Sequence, residues 1–188
     1  MSDLTTVFME AFEGVSGHAY CVNTLDEAAD IIAQVISDTA EVSRVALAQL
    51  PAGLGDKIRS RCNGIDIVSD PYPAATGLDT IDHAQVGVSG SEFAIAETGT
   101  MVEVAVDDMN RLVSSLPRTY IGVVDACTLE PTLRGAGERM QKVFDDNPDH
   151  VAVSFISGPS RTGDIEMILT LGVHGPEHAH AILLMGDK

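Results

Sequence analysis

An α/β fold, with a largely parallel central sheet covered by helices, is predicted by three features of the 188-residue sequence. Apolar residues switch repeatedly between a helical and an extended period. Several extended stretches are apolar on both sides, as strands buried between two layers are. Strand and helix alternate toward both ends, around a middle richer in strand. The length corresponds to a single domain over residues 1–188, at about 150 residues per domain.

The elements follow in order. Residues 4–12 read as a short helix with Val7, Phe8, Ala11 and Phe12 on one face, and residues 18–22 are extended. Thr24 caps a second helix, with Glu27 three positions on completing a capping box. Ala28, Ile31, Ile32, Val35 and Ile36 recur along it at helical spacing. Residues 45–50 form a buried strand stopped by Pro51-Ala52-Gly53, and a helix over 54–62 comes next. Asn63-Gly64 turns the chain into a strand at 65–68, and Asp70-Pro71-Tyr72-Pro73 is the clearest loop. Residues 85–88 and 93–106 are extended. The second stretch is too long for one straight strand and bends at Thr98-Gly99. A strand at 120–125, a helix over 130–144, a strand at 151–156, a helix over 164–171 and a strand at 181–185 complete the chain.

Charge and cysteine content remove several function classes. Eleven Lys plus Arg against 28 Asp plus Glu give a formal charge of −17. Phosphate backbones and anionic leaflets are bound by clustered Lys and Arg, so neither nucleic acid nor membrane is an expected partner. Cys21, Cys62 and Cys127 are odd in number and far apart, without a C-x-x-C pair. That argues against a disulfide framework and against an iron–sulfur or zinc site held by this chain. No dinucleotide fingerprint follows a strand, so no flavin is expected either. No apolar run approaches the ~18 residues of a membrane span. The first residues are acidic and polar where a secretion signal is basic, and a cytoplasmic location is expected.

Residues 157–166 carry the densest chemistry. Ser157, Ser160 and Thr162 offer hydroxyls, Gly158 frees backbone N–H groups, and Arg161 adds a guanidinium. In the predicted order this loop joins a strand to a helix, where an open parallel sheet binds ligands and a helix N-terminus favours an anion. Asp164 and Glu166 suit orientation of Arg161 by a bidentate pair. The same Ser, Thr and Asp residues are also ordinary helix caps. Arg118, before the strand at 120–125, is a candidate second cation.

Glu97-Thr98-Gly99-Thr100 interrupts an apolar run, with Ala94, Ile95, Ala96 and Met101 on either side. A carboxylate there is either paired or at a turn, because burying it alone is costly. Glu97 is the candidate catalytic carboxylate, and Gly99 allows a backbone or ligand to approach. Alternatively, the segment is a hairpin with Glu97 in solvent, or Glu97 pairs with Arg118 or Arg161. His174, His178 and His180 cluster near the C-terminus, the last two on one face of a strand. No metal site is assigned to them, and His174, beside Gly175, is the better ligand-facing candidate. Gly135-Ala136-Gly137 lies inside a helical pattern, and Gly53-Leu54-Gly55-Asp56-Lys57 lacks the spacing of a nucleotide loop.

Four stretches, in order, carry a resemblance. They are Phe93-Ala94-Ile95-Ala96-Glu97-Thr98-Gly99-Thr100, Ser114-Ser115-Leu116-Pro117-Arg118, Ser157-Gly158-Pro159-Ser160-Arg161-Thr162 and Gly172-Val173-His174-Gly175-Pro176. Together they resemble the lactate-utilisation (LUD) domain family, from about Thr80 onward most strongly. Glu92 and Gly163 stand where that family usually has Asp and Ala. The resemblance implies the fold shared by CoA transferases, ribose-phosphate isomerases and glucosamine-phosphate deaminases. It also implies a role in oxidising lactate to pyruvate, beside partner proteins that hold iron–sulfur clusters, with a small anionic metabolite as ligand. Two other functions are compatible with the residues: a stand-alone CoA-transferase-type enzyme with Glu97 as nucleophile, and a non-catalytic assembly module.

Overall fold

In the computed structural model, which describes residues 2–163 and 169–186, apolar runs far apart in the chain lie side by side. The first half runs α1 (Ser2–Glu13), β1 (His18–Val22), α2 (Leu25–Asp38), β2 (Arg44–Ala48), α3 (Leu54–Arg61), β3 (Asp66–Ser69), α4 (Gly77–Asp82) and β4 (Val86–Gly90). The middle runs β5 (Phe93–Ile95), β6 (Thr100–Ala105), α5 (Asn110–Val113) and β7 (Thr119–Asp125). Then come β8 (Leu129–Glu130), α6 (Gly137–Asp146), β9 (Ala152–Ile156), β10 (Arg161–Gly163), β11 (Leu169–Leu171) and β12 (His178–Leu184).

Six strands form one parallel sheet in the order β1-β12-β7-β4-β2-β3. Both its faces are covered, which is why Val45, Ala46, Leu47 and Ala48 are all buried despite alternating sides. Helices α2 and α3 cover one face through Ile32, Ile36, Leu54 and Ile58, which meet Val22, Val45, Val88, Ile121 and Ile182. On the other face α1 inserts Phe8 and Phe12 against Ala19, Ala179 and Ala181.

The capping box forms: the Glu27 N–H donates to the Thr24 hydroxyl at 3.1 Å. The Glu27 carboxylate accepts from the Asn23 N–H at 2.7 Å, one residue earlier than the usual partner. Thr24→Ala should therefore cost about 1 kcal/mol. A urea melt showing no loss would mean that water replaces the cap without penalty.

Four sequence expectations are corrected. Val7 is exposed, because the buried stripe of α1 is set by Phe8 and Phe12, whose rings stack at 5.8 Å. The strand at 151–156 does not join the parallel sheet; as β9 it pairs antiparallel with β6 in a second sheet, ordered β8-β5-β6-β9. The helix expected over 130–144 starts only at Gly137, and Leu129 and Glu130 pair with β5 instead. Gly135 and Gly137 are poor helix formers and delay its start. Of the helix expected over 164–171, Leu169–Leu171 is strand β11, paired antiparallel with β10, while residues 164–168 lie outside the described residues.

Candidate functional site

The four sequence stretches meet although they are distant in the chain. The Thr98 and Thr100 hydroxyls lie 2.7 Å apart, and Thr100 in turn lies 2.7 Å from the Ser157 hydroxyl. These bonds join the β5–β6 turn to the end of β9. Ser160 donates its N–H to the Pro176 carbonyl at 2.8 Å and accepts from the Gly172 N–H at 3.0 Å. A Cβ on Gly175 would lie 3.3 Å from the Ser160 Cβ and 3.9 Å from the Ser115 carbonyl. The Arg118 carbonyl accepts from the N–H groups of Glu177 and His178.

Beside this seam is a groove of about 260 Å³ lined by Val15, Phe155, Ser157, Gly158, Pro159 and Arg161. Gly158 has φ +142, and a Cβ there would sit 3.0 Å from Val15. Among the described residues Arg161 is the sole charged one lining it, and its guanidinium donates to the Ser16 hydroxyl at 3.1 Å. Of the residues expected to line a pocket, Ser157, Gly158 and Arg161 border this groove. Its setting differs from the expectation: the loop leads into β10 rather than a helix, and the strand before it belongs to the second sheet, paired antiparallel with β6. Among the described residues, no helix N-terminus follows this loop. Thr162 stands opposite Thr170 in the β10–β11 pair. Asp164 and Glu166 lie outside the described residues.

Arg118 is not part of this groove. Its side chain is 79% exposed and pairs with the Glu177 carboxylate. His174 is exposed in the 172–177 loop. Glu97 is exposed too, although Ala94, Ile95, Ala96 and Met101 around it are fully buried. Its carboxylate accepts from the Leu133 N–H at 3.1 Å and its own N–H donates to the Pro131 carbonyl. Neither arginine pairs with it, so of the expected settings the solvent-facing turn is the one observed.

A second concavity, about 270 Å³, lies beyond the carboxyl ends of β2 and β3. Here the chain passes from β2 to β3 on one side, then returns to place β4 on the other, the arrangement that opens a crevice in parallel sheets. Gln49 leaves β2 with φ +52, donates its N–H to the Asp70 carboxylate at 3.3 Å and its side-chain amide to the Val104 carbonyl at 2.9 Å. Arg59 donates to the Ser69 hydroxyl at 2.8 Å and to Asp56 at 3.3 Å. One guanidinium against Asp56 and Asp70 leaves this crevice without the single-sign charge of the Arg161 groove. The sequence reading missed Gln49 and Arg59. The available signal was a lone polar residue closing the run Val45–Ala48 just before Pro51 and Gly53.

Among the described residues, no group of three or more His, Cys, Asp or Glu side chains could hold a metal ion, and all three cysteines are unpaired. His178 and His180 share a face of β12 as expected, but their neighbour is His18 on β1 rather than His174. Burial, with smaller contributions from His18 and His178, pushes the His180 imidazole down to about 4.

Comparison with known proteins agrees with the fold and the motif order. The LUD domain family model matches residues 5–184. Proteins named lactate utilization protein C are similar to the chain. The one from Macrococcus caseolyticus is 36% identical over 132 residues, covering 66% of this chain and 57% of that protein. The one from Bacillus licheniformis is 38% identical over 121 residues, covering 62% and 50%. The one from Bacillus subtilis is 38% identical over 108 residues, covering 57% and 45%. The chain therefore aligns with about half the length of these relatives. Across 98% of both chains, the structure is similar to the 1.70 Å crystal structure of a DUF162 family protein from Deinococcus radiodurans, with a TM-score of 0.67 at 20% identity, a likeness of fold alone.

Proposed function

The chain belongs to the LUD domain family, and from that membership we propose that it is a subunit of a lactate-utilisation system that binds a small anionic metabolite in the Arg161 groove. In this reading, lactate is oxidised to pyruvate by an assembly whose iron–sulfur clusters reside in partner proteins. The donor chemistry here supports that division of labour. Cys21 lies on β1, Cys62 is buried at the end of α3, and Cys127 follows β7, so the three thiols share no ligand set.

The observation that carries the reading is the groove itself. In a chain of formal charge −17, it presents one guanidinium whose hydrogen-bond partner among the described residues is a hydroxyl. A carboxylate entering it gains a charge-assisted bond from Arg161 and a hydroxyl at Ser157, itself held by Thr100, with Gly158 leaving the backbone accessible. The groove is open to solvent, so this contribution is modest, and substrate oxidation falls to the partners.

The test has two arms. Affinity capture of the chain from a lactate-grown source should bring down cysteine-rich cluster proteins, and the captured assembly should reduce an acceptor when given lactate. Arg161→Ala should weaken lactate or pyruvate binding about 10- to 100-fold, the loss of one hydrogen bond to a charged group. Assembly should persist in that variant. Capture without cluster proteins, or binding indifferent to Arg161→Ala, would overturn the corresponding half of the proposal.

A further inference from the structure

The crevice beyond the carboxyl ends of β2 and β3 carries charges of both signs, each fixed by the fold. From α3, Arg59 reaches across to the end of β3, where its guanidinium donates to the Ser69 hydroxyl at 2.8 Å. A second guanidinium nitrogen donates to the Asp56 carboxylate at 3.3 Å, a weak contact between side chains 41% and 88% exposed. A guanidinium has five N–H donors, so these two bonds leave others for a ligand. Gly55 keeps that guanidinium within reach, because a Cβ there would lie 3.4 Å from an Arg59 nitrogen.

The opposite charge is Asp70, the residue after β3. Its N–H donates to the Leu47 carbonyl at 3.2 Å, and its carboxylate accepts from the Gln49 N–H at 3.3 Å. Two bonds therefore tie it to the end of β2. Gln49 meets it with φ +52, a left-handed conformation that side-chain-bearing residues seldom adopt. Asp70 is half-buried, and among the described residues no cation pairs with it. A carboxylate drawn out of water in this way is stabilised by a cationic partner.

We propose that this crevice binds a small α-amino acid, with its carboxylate on Arg59 and its ammonium on Asp70. Charge balance selects that class. One positive side chain stands against Asp56 and Asp70, so a plain anion would add to an excess of negative charge. A plain amine would answer Asp70 and gain nothing from Arg59. A zwitterion satisfies both. The topology accounts for the place: β3 lies on one side of β2 and β4 on the other, and parallel sheets hold their ligands beyond the strand ends at such a switch. A volume of about 270 Å³ falls below the range of pockets for drug-sized molecules, which limits the occupant to a small one. The assignment is independent of the Arg161 groove, which adjoins β9 in the second sheet.

The experiment titrates the full chain calorimetrically with glycine, L-alanine, L-serine and L-threonine, beside lactate and ethylamine. Lactate differs from alanine in carrying a hydroxyl for the ammonium, and ethylamine lacks the carboxylate. At least one of the four amino acids should bind saturably with one equivalent. It should shift the amide resonances of Gly53 and Ser69 rather than those of Gly158 and Arg161. Arg59→Gln and Asp70→Asn should each weaken binding about 10- to 100-fold, the loss of one hydrogen bond to a charged group. Arg161→Ala should leave it unchanged, whatever that variant does to lactate. Asp70→Asn keeps an acceptor for the Gln49 N–H, so weakened binding with an unchanged urea midpoint reports the charge rather than folding. Arg59→Gln changes an exposed side chain and gives the same reading independently. No saturable binding by any of the four overturns the proposal. So does binding that survives both variants, or lactate competing as well as alanine does.

Discussion

Gly99→Ala is expected to destabilise the chain by about 3–5 kcal/mol, enough to remove much of the stability of a domain this size. Two separate costs add. Gly99 has φ +57, a conformation that an L-residue enters at a cost of roughly 1–2 kcal/mol. The new methyl would also sit 2.4 Å from the Phe12 backbone nitrogen and 2.8 Å from the Ala11 carbonyl carbon. These are helix backbone atoms, so the relief available is a shift of α1, whose Phe8 and Phe12 are buried against the parallel sheet. Ser157→Ala breaks one link of the neighbouring hydroxyl line and should cost only about 1 kcal/mol. Urea midpoints of both variants beside the unmodified chain provide the check. A Gly99→Ala loss no larger than that of Ser157→Ala would mean that α1 does not rest on this turn.

That prediction also shows where sequence reasoning succeeds and stops. The turn at Thr98-Gly99 was legible because a glycine breaks an overlong apolar run, but the glycine's neighbour is the helix backbone at Phe12, far earlier in the chain, not a ligand. The extended runs at 18–22, 45–50 and 120–125 were legible as strands, because buried parallel strands carry apolar residues on both faces. The sheet each strand joins was not. Ala152–Ile156 has the same apolar character, yet its partner is β6, and periodicity carries no information about partners. Helices α4 and α5, with six and four residues, are too short to establish a period. Among site residues, the loop at 157–161 was found through its own chemistry. For Glu97 the sequence leaves a paired and a solvent-facing setting open, because an apolar neighbourhood in sequence does not fix on which side of a turn a carboxylate emerges.

The stability of the chain should fall as pH rises above the ordinary carboxylate value through a single buried carboxyl, and Glu103→Gln should remove that component. Glu103 is wholly buried on β6, between Met101 and Ala105 on the face turned toward the parallel sheet. The Ser114 hydroxyl donates to its Oε2 at 2.5 Å, and nearby Ser89 and Tyr120 hydroxyls lie 3.0 Å apart. Its Oε1 has no partner among the described residues, which suits a protonated acid better than a carboxylate. Burial raises its affinity for the proton, against the Ser114 hydrogen bond and the nearby Ser89 hydroxyl, which lower it. In the folded chain the proton is therefore retained above the ordinary value of 4.5, where the unfolded chain releases it. The stabilisation is complete below that value and is lost as pH climbs toward the raised folded one. Glutamine keeps the shape, accepts the Ser114 bond and does not titrate, so Glu103→Gln should come closest to the unmodified chain at pH 4, below that ordinary value, and exceed it at pH 8. Glu103→Ala, which empties the space and strands Ser114, should lose about 2–4 kcal/mol at both pH values. Urea melts of the three proteins at the two pH values isolate the term by difference, since every other titrating group is common to them. If Glu103→Gln were instead destabilised as severely as Glu103→Ala at pH 8, the charge on Glu103 would be required by the fold, and a neutral buried acid would be the wrong description of this strand.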